Sequence, residues 1–137
     1  MRLIPKGIAV VALALTAGGA QAAQVLDCKL TSGSTDSYVT PEYFFEYDSE
    51  RGTVLVIDGA IKHFVGSPIP GKVSDDSPSR VSFSWPLQIT DPGGRQAKLI
   101  YSATLFKADR TIVVHARVGG GTYRGDWEAR GKCTEMR

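Results

Sequence analysis

Hydrophobic and polar residues alternate along most of the chain, a period typical of strands that bury one face. The clearest stretch is residues 81–89, where Val, Phe, Trp, Leu and Ile occupy every second position. Residues 123–133 follow the same rule, with Tyr, Gly, Trp, Ala, Gly and Cys on one face and charged side chains on the other. The pattern therefore predicts half-buried strands.

Shorter runs of the same kind are separated by residues that favour turns and loops. They cover residues 25–31, 43–48, 53–58, 97–106 and 111–118. Hairpin connections dominate and no segment shows a helical period, so the chain is expected to be all-β. The predicted fold is an antiparallel meander closing into a barrel of about eight strands, which leaves no free edge. A two-layer β-sandwich is the alternative.

Three places interrupt the simple pattern. Asp58-Gly59 suits a type I′ turn, so residues 61–65 are expected to return as an antiparallel strand. Two prolines within residues 66–71 predict a corner or an edge there, followed by a short strand over residues 72–76. Pro86 removes a donor from residues 81–89, which predicts a bulge or an unpaired edge nearby.

Residues 1–22 are typical of a secretory signal peptide, with a basic start, an apolar run and small residues before the cleavage point. The apolar run is shorter than the roughly 20 residues that span a bilayer. The expected mature protein is a single domain, residues 23–137, periplasmic or secreted and not inserted in a membrane.

Charge narrows the range of partners. The whole chain has a formal net charge of +2. Removal of residues 1–22 takes away Arg2 and Lys6 and no acidic residue, so the mature domain is neutral. Such a domain has no net field to attract phosphate backbones or anionic lipids, which argues against binding to nucleic acid or membrane surfaces.

The chain contains only two cysteines, Cys28 and Cys133. Each lies on the apolar face of an alternating stretch, one near each end of the domain. Export favours a disulfide, because a metal site needs more ligands than these cysteines with His63 and His115 provide. The predicted bridge joins the first strand to the last.

Little in the sequence indicates catalysis. His63 and His115 are the only histidines, and the chain has no Gly-x-Ser-x-Gly elbow and no phosphate-binding glycine motif. The protein is therefore expected to be non-enzymatic and to need no metal or cofactor.

Aromatic residues and loops supply the binding hypotheses. Trp85, Tyr101 and Trp127 share inward faces with small residues, so they either fill the barrel or line an apolar ligand cavity. Residues 32–42 and 66–79 are long irregular connections, where recognition commonly takes place.

Tyr38, Tyr43 and Ile69, which lie on or next to those loops, are the predicted partner contacts. The leading interpretation is an exported binding barrel that recognises a protein or small apolar ligand through loops at one end. The alternative is a carrier with an internal aromatic cavity.

The layout also resembles small secreted or periplasmic β-barrel proteins of Gram-negative bacteria. Cys28 in the first strand, Phe-Glu-Tyr-Asp at residues 45–48 and Gly-Lys-Cys at residues 131–133 carry the resemblance. In these features the chain is similar to the C-type lysozyme inhibitor family, which implies a similar scaffold and an inhibitor-like protein as a further alternative. That family's functional loop is Ser-Gly-x-x-Tyr. Residues 32–36 read Ser-Gly-Ser-Thr-Asp, so no functional residue carries over.

Overall fold

The computed structural model describes residues 23–31, 37–119 and 125–136. The predicted signal peptide at residues 1–22, loop residues 32–36 and the predicted start of the last strand at Tyr123 lie outside the described residues. The described chain forms eight strands and one helix: β1 (Gln24–Thr31), β2 (Glu42–Asp48), β3 (Thr53–Asp58), α1 (Gly59–Phe64), β4 (Ile69–Asp76), β5 (Arg80–Thr90), β6 (Gln96–Phe106), β7 (Thr111–Val118) and β8 (Asp126–Met136).

The strands form a closed antiparallel barrel in chain order, and β8 pairs with β1 to complete the wall. Because side chains alternate between faces, one face of each strand points into the interior and the other faces solvent. In β5 the buried positions are those of the alternating pattern, from Val81 to Ile89. The closed barrel is confirmed, and the two-layer sandwich does not form.

The disulfide between Cys28 and Cys133 is also confirmed. The two residues are direct partners in the β1–β8 register, and their sulfurs are bonded at 2.03 Å. Both side chains are buried. The bridge fixes the seam where the first and last strands meet, and a disulfide fits an oxidising compartment.

Gly131 allows the same seam to close. A Cβ atom at this position would lie 1.9 Å from the backbone oxygen of Lys29 and 2.6 Å from the Cα of Leu30. Both contacts are to backbone, which cannot rotate away as a flexible side chain would. Glycine is therefore required at this position of the β1–β8 seam.

Stacked rings fill much of the interior. Trp85 and Tyr101 stack with their centroids 5.2 Å apart, and each is 1% exposed. Phe45 lies 5.1 Å from Phe83 and 5.5 Å from Trp85. These separations are typical of favourable aromatic pairs, each worth about 0.5–1.5 kcal/mol beyond its buried area. The rings are thus part of the hydrophobic core.

Helix α1 corrects one prediction. Residues 61–65 do not return as a strand, because Asp58 caps a helix: its extended backbone and its carboxylate, which accepts the N–H of Ile61 at 2.8 Å, meet the requirements of an N-cap. Ile61 is fully buried, whereas Lys62, His63 and Phe64 are exposed. A six-residue helix anchored by one buried apolar residue is too short to show a period.

Two prolines lie where β4 and β5 separate. Strand β4 begins at Ile69 and contains Pro70, so the predicted corner ends earlier than expected. Pro70 pairs with Leu55 of β3. The pairing between β4 and β5 begins at Lys72 and Ser84 and continues to Asp76 and Val81, and its register shifts between Val73 and Asp75. Pro86 pairs with β6 beyond that register. The irregularity expected near Pro86 is confirmed.

Candidate functional site

The connections between strands gather at two ends of the barrel. The helix end carries α1, residues 37–41 and the turn at residues 91–95. The opposite end, called here the ion-pair end, carries the turns at residues 49–52, 77–79 and 107–110. Each end contains a pocket, and the two pockets differ in chemistry.

The mouth pocket lies at the helix end and has a volume of about 210 Å³. It forms where the end of β5 and the start of β6 meet the end of β7 and the start of β8. Most of its lining is apolar. The lining residues are Tyr38, Ile89, Asp91, Ala97, Leu99, Val118 and Trp127.

Two aromatic side chains shape the mouth pocket. The rings of Tyr38 and Trp127 meet edge to face, with centroids 4.9 Å apart, and both residues are half-buried. Gly125 makes room for the indole: a Cβ on that residue would lie 2.1 Å from the Cη2 atom of Trp127. A side chain at residue 125 would therefore displace the ring.

Hydrogen bonds hold Tyr38 in place from the interior side. The hydroxyl of Tyr101 donates to the backbone oxygen of Tyr38 at 2.8 Å. Thr40, two residues later, donates from its hydroxyl to Asp58 and from its N–H to the hydroxyl of Tyr43 at 3.1 Å. Residues 37–41 are thereby fixed against the end of the barrel.

Two members of this network are strongly buried phenols. Burial raises the pKa of Tyr43 above its ordinary value, and the charge of nearby Asp58 raises it further. Burial also raises the pKa of Tyr101. Both tyrosines therefore remain neutral hydrogen-bonding groups in the folded protein at physiological pH.

The predicted ligand-binding residues separate into two locations. Trp85 and Tyr101 are buried in the interior, whereas Trp127 lines the mouth pocket. Trp85 also borders a pocket of about 470 Å³ on the side of the barrel, next to Pro70 and Pro86. Tyr101 contributes to the pocket indirectly, through its hydrogen bond to Tyr38. The indole nitrogen of Trp85 is buried and has no hydrogen-bond partner among the described residues.

The predicted partner contacts also separate. Tyr38 lines the mouth pocket, and half-buried Ile69 lies at the start of β4. Tyr43 is 0% exposed, so it belongs to the interior and not to an exposed partner surface. Sequence reasoning missed Ile89, Ala97 and Val118 as pocket residues, since only the pairing of β5 with β6 and of β6 with β7 brings them together at one end.

The histidines lie apart from the mouth pocket. His63 is on exposed α1, with its ring 4.7 Å from that of Phe64. His115 is on the outer face of β7 and contacts the carboxylate of Asp126. Within the described ranges, no three or more potential metal ligands are grouped, and no helix is both long and apolar enough to cross a membrane.

The polar pocket lies at the ion-pair end and has a volume of about 330 Å³. Charged and hydroxyl-bearing residues surround it, with two leucines and a tyrosine below. The lining residues are Gln24, Leu26, Tyr47, Ser49, Leu105, Lys107, Arg110 and Glu135.

Comparison of the chain with protein-family models, with characterised proteins and with solved structures finds no match.

Proposed function

We propose that this protein is an exported, non-enzymatic binding protein that holds a ring-sized apolar group in the mouth pocket. The observation that supports this most strongly is the half-buried Tyr38–Trp127 pair beside an apolar pocket at one end of a stapled barrel. Small-molecule sites are commonly concave, mostly apolar and largely preformed.

Size limits what the mouth pocket holds. A cavity of about 150 Å³ is sufficient for benzene, and the mouth pocket has a volume of about 210 Å³. It accommodates one ring with a short substituent. The proposed occupant is an aromatic group, either of a small molecule or of a side chain from a protein partner.

The aromatic pair gives the pocket its preference. Edge-to-face contacts with Tyr38 and Trp127 favour another ring over an aliphatic chain of the same area. The hydrogen bond from Tyr101 keeps Tyr38 oriented before binding, so less conformational entropy is lost on association. Tyrosine and tryptophan are also the residues most enriched among binding hot spots.

The Cys28–Cys133 disulfide supports export, because such bonds persist in oxidising compartments. We place the protein in the periplasm or outside the cell. The neutral charge of residues 23–137 supports a partner other than nucleic acid or an anionic membrane surface.

The test is capture of bound material from cell-envelope extract by the purified protein. Native mass spectrometry reads out small molecules, and separation of eluted proteins reads out a protein partner. Trp127→Ala should lose what the native protein captures, because it removes one wall of the mouth pocket.

Phe64→Ala is the matched control, since Phe64 is an exposed aromatic on α1 that does not line the mouth pocket. It should capture the same material as the native protein. Capture that survives Trp127→Ala, or that Phe64→Ala abolishes equally, would contradict the proposal.

A further inference from the structure

The polar pocket combines a charged rim with an apolar floor. Lys107, Arg110 and Glu135 stand at the rim, and the buried side chains of Leu26, Tyr47 and Leu105 lie below them. Its volume of about 330 Å³ is within the range of small-molecule sites. An occupant needs charge at one end and hydrocarbon at the other.

The two ion pairs of this pocket differ in strength. Lys107 donates to Asp76 at 2.8 Å, and the two side chains are 34% and 27% exposed. Arg110 donates to Glu135 at 3.1 Å, with both side chains close to half exposed. The Arg110–Glu135 pair is therefore the longer and more exposed of the two, so it costs less to break.

Arg110 also has an unusual backbone. Its φ angle is 60°, a conformation that glycine and asparagine adopt more readily than other residues. Its N–H donates to the oxygen of Phe106, and its own oxygen accepts the N–H of Cys133, both at 2.9 Å. The turn alone would favour glycine. The structure thus places a guanidinium at the pocket rim on a backbone conformation that costs arginine more than glycine.

We infer that the polar pocket binds a small zwitterion with an apolar group, of the class of free α-amino acids and short peptides. The ligand carboxylate replaces Glu135 on the Arg110 guanidinium, whose forked donors suit a carboxylate. The ligand ammonium then pairs with the released Glu135. The apolar group lies on Leu26, Tyr47 and Leu105.

Charge balance selects a zwitterion over a simple anion. An anion that displaced Glu135 from Arg110 would leave that carboxylate without its cation. A zwitterion leaves every charge partnered. The site is separate from the mouth pocket, so this inference does not depend on what the mouth pocket binds.

Calorimetric titration of the purified protein at low salt tests the inference with four probes. L-leucine and glycyl-L-leucine carry both charges, N-acetyl-L-leucine lacks the ammonium, and L-leucinamide lacks the carboxylate. The first two should bind about tenfold or more tightly than the blocked compounds. The tighter of the two zwitterions identifies the source as a free amino acid or a peptide.

Three variants separate binding from folding. Arg110→Gly should weaken leucine binding about ten- to a hundredfold while leaving the melting temperature equal or higher, since glycine suits the turn. Glu135→Gln should weaken leucine binding and strengthen N-acetyl-L-leucine binding, because Arg110 becomes available. Arg80→Gln, which removes an ion pair at the same end but outside the pocket, should bind as the native protein does.

Two results would overturn the inference. Equal affinity for leucine and N-acetyl-L-leucine would mean that the ammonium is not recognised. Absence of heat from both zwitterions, with a folded protein, would mean that the pocket does not bind this class of molecule.

Discussion

At the helix end of the barrel, a buried carboxylate and two buried phenols fix the connecting segments, whereas at the ion-pair end short turns present charged pairs to solvent. Asp58 is 4% exposed and accepts hydrogen bonds from Thr40 and Ile61. By contrast, the Arg80–Asp75 pair at the opposite end is 55% and 43% exposed. Burial makes the first arrangement costly to break and leaves the second weak.

The difference shows how one scaffold presents two kinds of surface. Where the ends of β5 and β7 and the starts of β6 and β8 meet, mostly apolar side chains line the mouth pocket. Where tight turns join the opposite ends, Lys107, Arg110 and Glu135 line the polar pocket. The closed wall holds the two pockets apart.

Loss of closure should have the largest effect, because both ends depend on it. Replacing Cys28 and Cys133 together by alanine removes a bridge across a sequence separation of 105 residues. Stability should fall by about 4–5 kcal/mol in the chain-entropy description. Urea denaturation measures the change, and hydrogen exchange should show lost protection in β1 and β8. Unchanged exchange in those strands would show that the seam closes without the bridge.

The comparison between ends is tested directly by removing one aspartate from each. Asp58→Ala should destabilise the protein by about 2–4 kcal/mol, because it removes a helix cap and leaves buried partners unsatisfied. Asp75→Ala, the matched control, should cost about 1 kcal/mol or less, since it breaks an exposed ion pair. Equal denaturation midpoints for the two variants would contradict the stated difference in stability between the helix end and the ion-pair end.

Alkaline pH should weaken the helix end. The pKa values of Tyr43 and Tyr101 are raised above 10.0 in the folded protein, so the unfolded chain loses protons first. The contribution of the two tyrosines to the free energy of unfolding is complete below about pH 10. Above that pH it falls by up to about 2.7 kcal/mol per pH unit for the two groups together. Phenolate absorbance should therefore rise together with unfolding. Ionisation of all tyrosines in a folded protein would contradict this.

Acid should destabilise the ion-pair end, by less than alkali destabilises the helix end. The hydrogen bond from Lys107 lowers the pKa of Asp76 below its ordinary value of 3.8. The stabilisation is complete above that value and is lost as the pH falls below it. Lys107→Gln should reduce this acid sensitivity in denaturation curves. High salt should reduce it as well, because partly exposed pairs are screened.

Most of the wall follows from the sequence because a period of two determines which face is buried. Every second residue from Val81 to Ile89 is buried in the interior, and Cys28 and Cys133 meet as the pattern predicts. Asp58-Gly59 was interpreted wrongly because the same dipeptide serves as a hairpin turn and as a helix start. Only the burial of Ile61, a tertiary contact, decides between them.

The sites follow from the sequence less well. Alternation places Trp85 and Trp127 on the same face but does not reveal that one lies in the core and the other at a rim. The sequence does not single out Arg110, because the evidence for its role is a backbone φ angle and an ion pair with Glu135 on another strand. Such sites depend on how neighbouring strands align in the folded barrel.

The most direct test of ring binding at the mouth pocket is an NMR titration of the protein with p-cresol. The spectrum resolves the indole N–H signals of Trp85 and Trp127 separately. The indole signal of Trp127 and the amides of Ala97 and Val118 should shift together and saturate, while the signal of buried Trp85 stays in place. Saturable shifts of Trp85 without Trp127 would indicate an internal carrier cavity, and no saturable shift at Trp127 would contradict the account.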